Sequence, residues 1–107
     1  MGAYAQSEPA VVLDALGDAT RRRVLELVRD GGPAPVGVIA EAMPVSRPAV
    51  SQHLRVLEGA GLVTCTKDGT RRLYAVRPDG LAALRLWLDG FWDEALIRFK
   101  RTAEGSG

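Results

Sequence analysis

The 107-residue sequence predicts a mostly α-helical domain with one small β-hairpin, in the order ααααββα. Apolar residues recur at intervals of three and four, the helical period, in four segments before residue 60 and in one long segment from residue 78. Between them the period changes to two on either side of Asp68-Gly69, a strong hairpin signal. This length favours a single domain, and we expect residues 1–7 and 102–107 to be flexible ends.

The first three predicted helices are short and end at glycine or proline. The first lies in "EPAVVLDALG", the second follows Asp18, a good N-cap residue, and ends at Gly31–Gly32, and the third ends at Pro44. The apolar residues expected to face the core are Val11, Val12, Ala15 and Leu16 in the first helix, Val24, Leu25, Leu27 and Val28 in the second, and Val36, Ile39, Ala40 and Met43 in the third.

The fourth predicted helix, residues 46–59, has two different faces. Ser46 caps it, and a proline in its first turn is tolerated because the backbone N–H groups there lack helical partners. Three apolar residues at positions i, i+4 and i+7 define the buried face: Val50, Leu54 and Leu57. Pro48, Ser51, Gln52 and Arg55 lie on the opposite face, and His53 lies on its flank.

A short helix, a tight "PVS" turn and a second helix with an exposed polar face match the helix-turn-helix plan. In that plan the second helix enters the major groove of DNA, and its N-terminal residues contact base edges. Gln52 and Arg55 have the side chains that form paired hydrogen bonds, glutamine with adenine and arginine with guanine. The sequence therefore predicts that this helix recognises double-stranded DNA.

The hairpin adds positive charge next to this helix. Residues 46–77 hold six lysines or arginines against two acids, whereas the whole chain has a net charge of only +1. Lys67, Arg71 and Arg72 flank the hairpin tip, so residues 66–72 are predicted to form a wing that reaches phosphates or the neighbouring minor groove. We expect Arg71→Ala or Arg72→Ala to weaken binding to all sequences alike and to flatten its salt dependence.

The last predicted helix, "PDGLAALRLWLDGFWDEALIRFK", carries a wide apolar stripe. Spacings of three and four suit helix-on-helix packing, so the stripe is interpreted as a dimer seam. A pocket for an apolar effector is the alternative, and an unidentified small-molecule effector stays open. The residues assigned to the seam are Leu84, Trp87, Leu88, Phe91, Trp92, Ala95 and Phe99.

Three segments give the chain a resemblance to the ArsR family of bacterial winged helix-turn-helix repressors: "LDALGDATRRRVLELV", "SRPAVSQHLRVLEGAGLV" and "KDGTRRLYAV". The closing "FWDEALIRFK" is similar to a helix of its non-metal-sensing members. The resemblance implies a homodimer, formed through the first and last helices, that represses transcription at an operator of two-fold symmetry. By this resemblance the DNA-facing positions would be Ser46, Arg47, Ser51, Gln52, His53 and Arg55.

The chain departs from the metal sensors of that family. Their cysteine pair before the recognition helix is replaced by "PVGVIAEAM", and the last helix has no histidine. Zinc and related metals favour several Cys and His ligands together, so no metal site and no cofactor are predicted. Cys65, the single cysteine, is expected to pack as a small apolar residue, although a redox-sensing thiol stays open.

Other function classes find less support in the sequence. No phosphate-binding glycine loop, nucleophile–base set or paired catalytic carboxylates are recognised, and Asp89 with Asp93 is interpreted as a solvated face or an ion pair with the partner subunit, so an enzyme is not expected. No membrane span or secretory signal is recognised, which makes a cytoplasmic protein the expectation. The sequence thus predicts a dimeric repressor of an imperfect palindrome; the alternative is a winged-helix protein-interaction module without sequence-specific DNA binding.

Overall fold

The computed structural model describes residues 8–105 and confirms the predicted fold class and element order. The expectations for residues 1–7 and 106–107 lie outside the described residues. The helices are α1 Pro9–Leu16, α2 Ala19–Gly31, α3 Val36–Glu41, α4 Arg47–Gly59 and α5 Pro78–Gly105, and the strands are β1 Val63–Asp68 and β2 Arg71–Val76.

The two predicted N-caps are both present. The carboxylate of Asp18 accepts a hydrogen bond from the backbone N–H of Arg21 at 3.0 Å, at the start of α2. The hydroxyl oxygen of Ser46 accepts one from the N–H of Ala49 at 3.3 Å, at the start of α4. Each bond gives a partner to an N–H group that the helix itself leaves unpaired, so local sequence fixes where both helices begin.

The core lies where α1, α2, α3 and α4 meet the start of β1. Its largest fully buried side chains are Leu54, Leu57, Leu62, Val12, Val24, Val28, Val50 and Val63. The predicted buried face of α4 is confirmed in full. The predicted faces of α1 and α2 are too wide, because Val11 is 45% exposed and Leu25 and Leu27 are half-buried at the edge of the core.

Three consecutive arginines lie near the start of α2, where the positive end of the helix dipole is unfavourable for cations. Two of them nevertheless have a clear structural role. Arg21 Nη1 donates to the carbonyl oxygen of Ala15 at 3.2 Å, and Arg22 Nη1 donates to that of Leu16 at 2.6 Å. Both carbonyls lie in the last turn of α1, where no helical N–H follows to bind them. Arg23 instead forms an exposed ion pair with Glu26 at 3.7 Å.

A glycine turns the chain from α4 into the hairpin. Gly61 has a φ of +76°, a conformation that favours glycine, and the N–H of Leu62 bonds the carbonyl oxygen of Leu57 at 2.9 Å. Asp68 pairs with Arg71 in the antiparallel register, so the two-residue loop is Gly69–Thr70 rather than Asp68-Gly69. Gly69, with a φ of +66°, therefore takes the first loop position, where a left-handed residue is needed.

The hairpin also pairs with the segment before α3, which the sequence analysis did not anticipate. Ala34 and Tyr74 form an isolated antiparallel bridge through two backbone hydrogen bonds of 3.0 and 2.9 Å. Ala34 is buried, and it directly precedes the Pro35 N-cap of α3. The bridge therefore fixes the hairpin to the helix-turn-helix unit.

Helix α5 has 28 residues and extends beyond the rest of the fold. With α5 included, the structure measures 65 × 36 × 19 Å. Gly80 and Ala83 are buried near its start, and α1 lies against it. Residues 102–105, which the sequence analysis expects to belong to a flexible end, are part of helix α5. The hydroxyl of Thr102 donates to the carbonyl oxygen of Arg98 at 3.0 Å, within this last segment. Within residues 8–105, no helix is both long and apolar enough to cross a lipid bilayer.

Candidate nucleic-acid interface

Helix α4 packs against α2 and α3 and presents its polar face outwards. Its buried face anchors it, because Val50, Leu54 and Leu57 are fully enclosed. Five of the predicted recognition residues are exposed and a sixth is half-buried. The exposed ones are Ser46, Arg47, Pro48, Gln52 and Arg55, and the half-buried one is Ser51.

His53 differs from its neighbours on α4. It is half-buried, and its Nδ1 atom is buried without a hydrogen-bond partner among the described residues. Its ring lies close enough to Asp18 to lower the pKa of that carboxyl group, after the larger effect of the Arg21 backbone N–H. The structure therefore places His53 between the polar face of α4 and the start of α2.

The predicted wing residues lie on the outer half of the hairpin. Lys67 and Arg72 are directly opposite each other in the strand register, and Arg71 adjoins the loop. All three side chains are exposed. None of them has a hydrogen bond or an ion pair with another described residue, so their charges face solvent.

The structure brings the start of α4 and the wing together. Arg47, Arg71 and Arg72 line one cleft of about 320 Å³ with Pro35, Val36 and Thr70. Gln52, Arg55 and Lys67 are not part of it. The sequence analysis assigned the three arginines to DNA binding but did not predict that they line one cleft. That arrangement depends on the Ala34–Tyr74 bridge, which pairs the segment before α3 with β2.

The predicted seam on α5 is uncovered in the single chain. Trp92 is 64% exposed, Phe91 63% and Phe99 71%, and the rings of Trp87 and Phe91 stack with centroids 5.5 Å apart. Leu84 is partly buried against the core. Leu86 and Ile97 are exposed too, although the sequence analysis did not include them. A monomer rarely exposes such a large contiguous apolar surface.

Cys65 and Tyr74 face each other across the hairpin. Burial raises the pKa of the Tyr74 hydroxyl, and its hydrogen bond with Cys65 acts in the same direction. The thiol is half-buried, in keeping with a packed residue. In the part of the chain that the structure describes, no group of three or more His, Cys, Asp or Glu side chains is placed to hold a metal ion.

Two apolar clefts lie away from the polar face of α4. One, of about 240 Å³, lies between α2 and α3 and includes Leu27, Val38 and Ala42. Another, of about 220 Å³, lies between α2, the end of β2 and the start of α5. Both are smaller than the roughly 300–1,000 Å³ typical of small-molecule sites. Of the residues assigned to the seam, Phe91 and Ala95 line a third cleft, together with Glu94 and Arg98.

Comparison with known sequences gives the following matches. A family profile described as "Helix-turn-helix domain" matches residues 16–66, from the end of α1 into β1. HTH-type transcriptional regulator Rv2034 of Mycobacterium tuberculosis is 50% identical over 93 residues, covering 87% of this chain and 86% of that protein. Transcriptional repressor SdpR of Bacillus subtilis is 32% identical over 80 residues, covering 75% of this chain and 88% of that protein.

Solved structures agree with these matches. An ArsR-like transcriptional regulator from Rhodococcus sp. RHA1 has a TM-score of 0.74 and 31% identity, covering 96% of this chain and 97% of that chain. The homodimeric winged helix-turn-helix DNA-binding domain Mb0332 from Mycobacterium bovis, described as a possible ArsR-family regulator, has a TM-score of 0.62 and 30% identity, covering 79% and 78%. The winged helix-turn-helix order of elements, the exposed face of α4 and these relatives lead to one conclusion. The chain belongs to the ArsR family of DNA-binding transcriptional regulators.

Proposed function

We propose that this protein is a homodimeric repressor that binds an imperfect palindrome in double-stranded DNA. Helix α4 enters the major groove of each half-site, and the wing contacts the adjoining backbone. Gln52 and Arg55 read base edges, whereas Ser46, Arg47, Pro48 and Ser51 position the helix. The observation that carries the proposal is the exposed polar face of α4 beside an unpaired basic wing.

The dimer in this proposal forms through α1 and α5. The apolar stripe from Leu84 to Phe99 is largely exposed, and burying each tryptophan or phenylalanine removes about 150–250 Å² from water. Val11 and Leu13 of α1, which lies against α5, are exposed as well and extend the same apolar surface. The homodimeric relative supports this assembly. Two-fold symmetry would set the recognition helices about 34–36 Å apart, one turn of DNA.

Repression rather than catalysis is the expected mode of action. A dimer bound across a promoter excludes other proteins from the same DNA, and the relatives are named as regulators or repressors. We propose that the protein has no enzymatic activity and works in the cytoplasm, where it meets DNA. No effector is proposed, because both α2 clefts are smaller than typical small-molecule sites.

Selection from random duplexes tests the proposal, because it requires no knowledge of the operator. Immobilised protein is cycled against a library, and the enriched duplex is then compared with a shuffled duplex by fluorescence anisotropy at two salt concentrations. We expect a palindromic consensus, a strong preference for it and a steep salt dependence. Equal, weak binding to both duplexes would contradict sequence-specific regulation and would favour the protein-interaction module.

A further inference from the structure

The cleft between the wing and the helix-turn-helix unit has the composition of an anion site. Its lining residues are Pro35, Val36, Arg47, Thr70, Arg71 and Arg72, so three arginines and no acidic residue line it. Its volume is about 320 Å³, and it is open to solvent. Three like charges repel one another, and that cost is offset only when an anion occupies the space between them.

The guanidinium of Arg47 lies over the open space beside Gly37, a residue without a side chain. A Cβ atom on Gly37 would lie 3.5, 3.6 and 3.7 Å from its Cζ, Nη1 and Nη2 atoms. Because these three distances are nearly equal, the guanidinium lies with its flat face over the glycine. A side chain longer than alanine at residue 37 would occupy that space. One face of the guanidinium is therefore turned towards Gly37, whereas its N–H groups, which point along the edge, stay available as donors.

The two arginines of the wing reach the same cleft through the backbone. The Ala34–Tyr74 bridge pairs the segment just before α3 with β2, and Val36 and Arg72 line the same cleft. Arg71 follows the two-residue loop and completes the set. Both ends of the cleft are thus fixed by main-chain hydrogen bonds and by a helix start, rather than by flexible side chains.

None of the three arginines has an ion pair or a hydrogen bond with any residue between 8 and 105. Other arginines of the chain do have such partners, for example Arg29 with Asp30 at 2.8 Å and Arg77 with Asp79 at 2.9 Å. The start of α4 also has no acidic residue in its first turn, which leaves the positive end of its dipole uncompensated at Arg47.

We propose that one DNA backbone phosphate per half-site binds in this cleft, held jointly by Arg47 of the recognition helix and by Arg71 and Arg72 of the wing. The inference rests on the proposed function, because it requires bound DNA. Planar guanidinium groups suit a phosphate, since each offers parallel N–H donors. A shared phosphate fixes the wing and α4 to the same point of the duplex, so it sets the depth at which Gln52 and Arg55 meet the bases.

The competing arrangement assigns a separate contact to each arginine. In that arrangement the wing arginines bind other phosphates or enter the minor groove, and Arg47 acts alone. The two arrangements differ in the number of phosphates that release their counterions when the protein binds. The salt dependence of the binding affinity measures that number. Each phosphate contact contributes about 0.9 to the slope of log affinity against log salt.

The experiment measures this slope for the enriched duplex with the wild type, each single arginine-to-alanine variant and the triple variant. For a dimer that shares one phosphate per half-site, the triple variant loses about 1.8 in slope. With three separate phosphates per half-site it loses about 5.4. We expect each single variant to bind about 5- to 50-fold more weakly, because two arginines still hold the phosphate. The slope should change little, in contrast to the flattening that the sequence analysis expects for Arg71→Ala or Arg72→Ala alone.

Duplexes in which single phosphates are neutralised give a second, independent measurement. Duplexes with one methylphosphonate per half-site, scanned along the site, remove one phosphate charge at a time. At a single position the wild type and the triple variant are expected to bind equally, because the cleft then has no anion to hold. The shared-phosphate inference is wrong if methylphosphonates at several positions each remove only part of the affinity difference between the wild type and the triple variant. It is also wrong if the triple variant loses about 5 in slope.

Controls separate this result from a failure of the proposed function. Arg29→Ala removes an exposed arginine whose partner is Asp30, and it should leave the slope unchanged. Arg47→Lys keeps the charge but loses the flat guanidinium over Gly37, and it should restore only part of the affinity. If the wild type itself shows no duplex preference and no salt dependence, the DNA-binding proposal is wrong, and the shared-phosphate inference is wrong with it.

Discussion

Ala34 and Tyr74 are joined by two backbone hydrogen bonds, from the N–H of Ala34 to the carbonyl oxygen of Tyr74 at 3.0 Å and in the reverse direction at 2.9 Å. These residues are 40 positions apart, yet their pairing determines where the wing lies. It adds a short third segment to the hairpin and holds that hairpin beside α3. The geometry of the candidate DNA interface therefore depends on a contact outside the recognition helix itself.

Ala34→Pro should loosen the wing, because proline has no N–H to donate to Tyr74. We expect a loss of about 1–3 kcal/mol in the free energy of unfolding, from the unpaired carbonyl, and weaker binding to every duplex. Urea denaturation and fluorescence anisotropy measure the two effects. Ala34→Gly keeps both hydrogen bonds and is the control. An Ala34→Pro variant with full DNA affinity would show that the bridge does not position the wing.

Gln52→Ala and Arg55→Ala test the predicted reading of base edges. Both side chains are exposed on α4, and each should cost about 1–3 kcal/mol of affinity for the enriched duplex, or roughly 5- to 150-fold. Preference at one base position per half-site should relax in each variant, which competition with single-base variants of the duplex reveals. Unchanged affinity and preference in both variants would mean that another face of α4 meets the groove.

Lys67→Ala tests a wing contact outside the arginine cleft. The side chain is exposed and does not line that cleft, so its removal should lower affinity for enriched and shuffled duplexes by the same factor. If Lys67 binds one phosphate in each half-site, the salt slope should fall by about 1.8 for the dimer. A loss confined to the enriched duplex would instead indicate base recognition by Lys67.

Trp92→Glu tests the dimer seam on α5. A carboxylate in the centre of an apolar interface would be buried without a partner, so we expect monomers in sedimentation or light-scattering measurements. The affinity for DNA should fall as the dimer is lost, because the two half-sites would then bind two separate chains. Lys100→Glu introduces the same carboxylate outside the stripe, with an even larger change in net charge, and should stay dimeric. A dimeric Trp92→Glu variant would place the interface elsewhere.

Asp18→Asn tests the electrostatics at the start of α2. The pKa of Asp18 is lowered below its usual 3.8, mainly because the Arg21 N–H donates to the carboxylate. A lowered pKa in the folded state stabilises the fold above the unfolded value, and the gain is lost as the pH falls through the lowered pKa. Asn keeps the cap but does not titrate.

The free energy of unfolding of the wild type should therefore fall relative to that of Asp18→Asn when the pH falls below about 3.8. Denaturation of both proteins at one concentration, between roughly pH 7 and pH 3, measures the difference. A difference that stays constant over this range would contradict a folded-state shift of the Asp18 carboxyl group.

Local interactions made much of the fold predictable. Asp18 and Ser46 cap helices through residues three positions away, and Val50, Leu54 and Leu57 lie on one face because the helix repeats every 3.6 residues. The exact hairpin loop was displaced by one residue, since Gly69 takes the first loop position. Interactions within one element therefore gave reliable boundaries, with errors of a few residues at the ends.

Partners on other elements were not predictable in the same way. The residue pattern of α2 did not reveal that Arg21 and Arg22 bind the carbonyl oxygens that end α1. The residue pattern of α4 likewise did not reveal that His53 lies near Asp18. The packing of Arg47 on Gly37 is another example. Each depends on the angle between two helices, which a single-sequence pattern does not specify.

By itself, the sequence determined the helical and strand periods, the caps, the polar face of α4 and the family, because these depend on residues close together along the chain. The tertiary structure decided that Ala34 pairs with Tyr74, that three arginines from two elements line one cleft, and that the aromatic stripe of α5 stays uncovered in one chain. The physical reason is that long-range placement follows from the packing of the whole core, in which no single segment fixes its own neighbours.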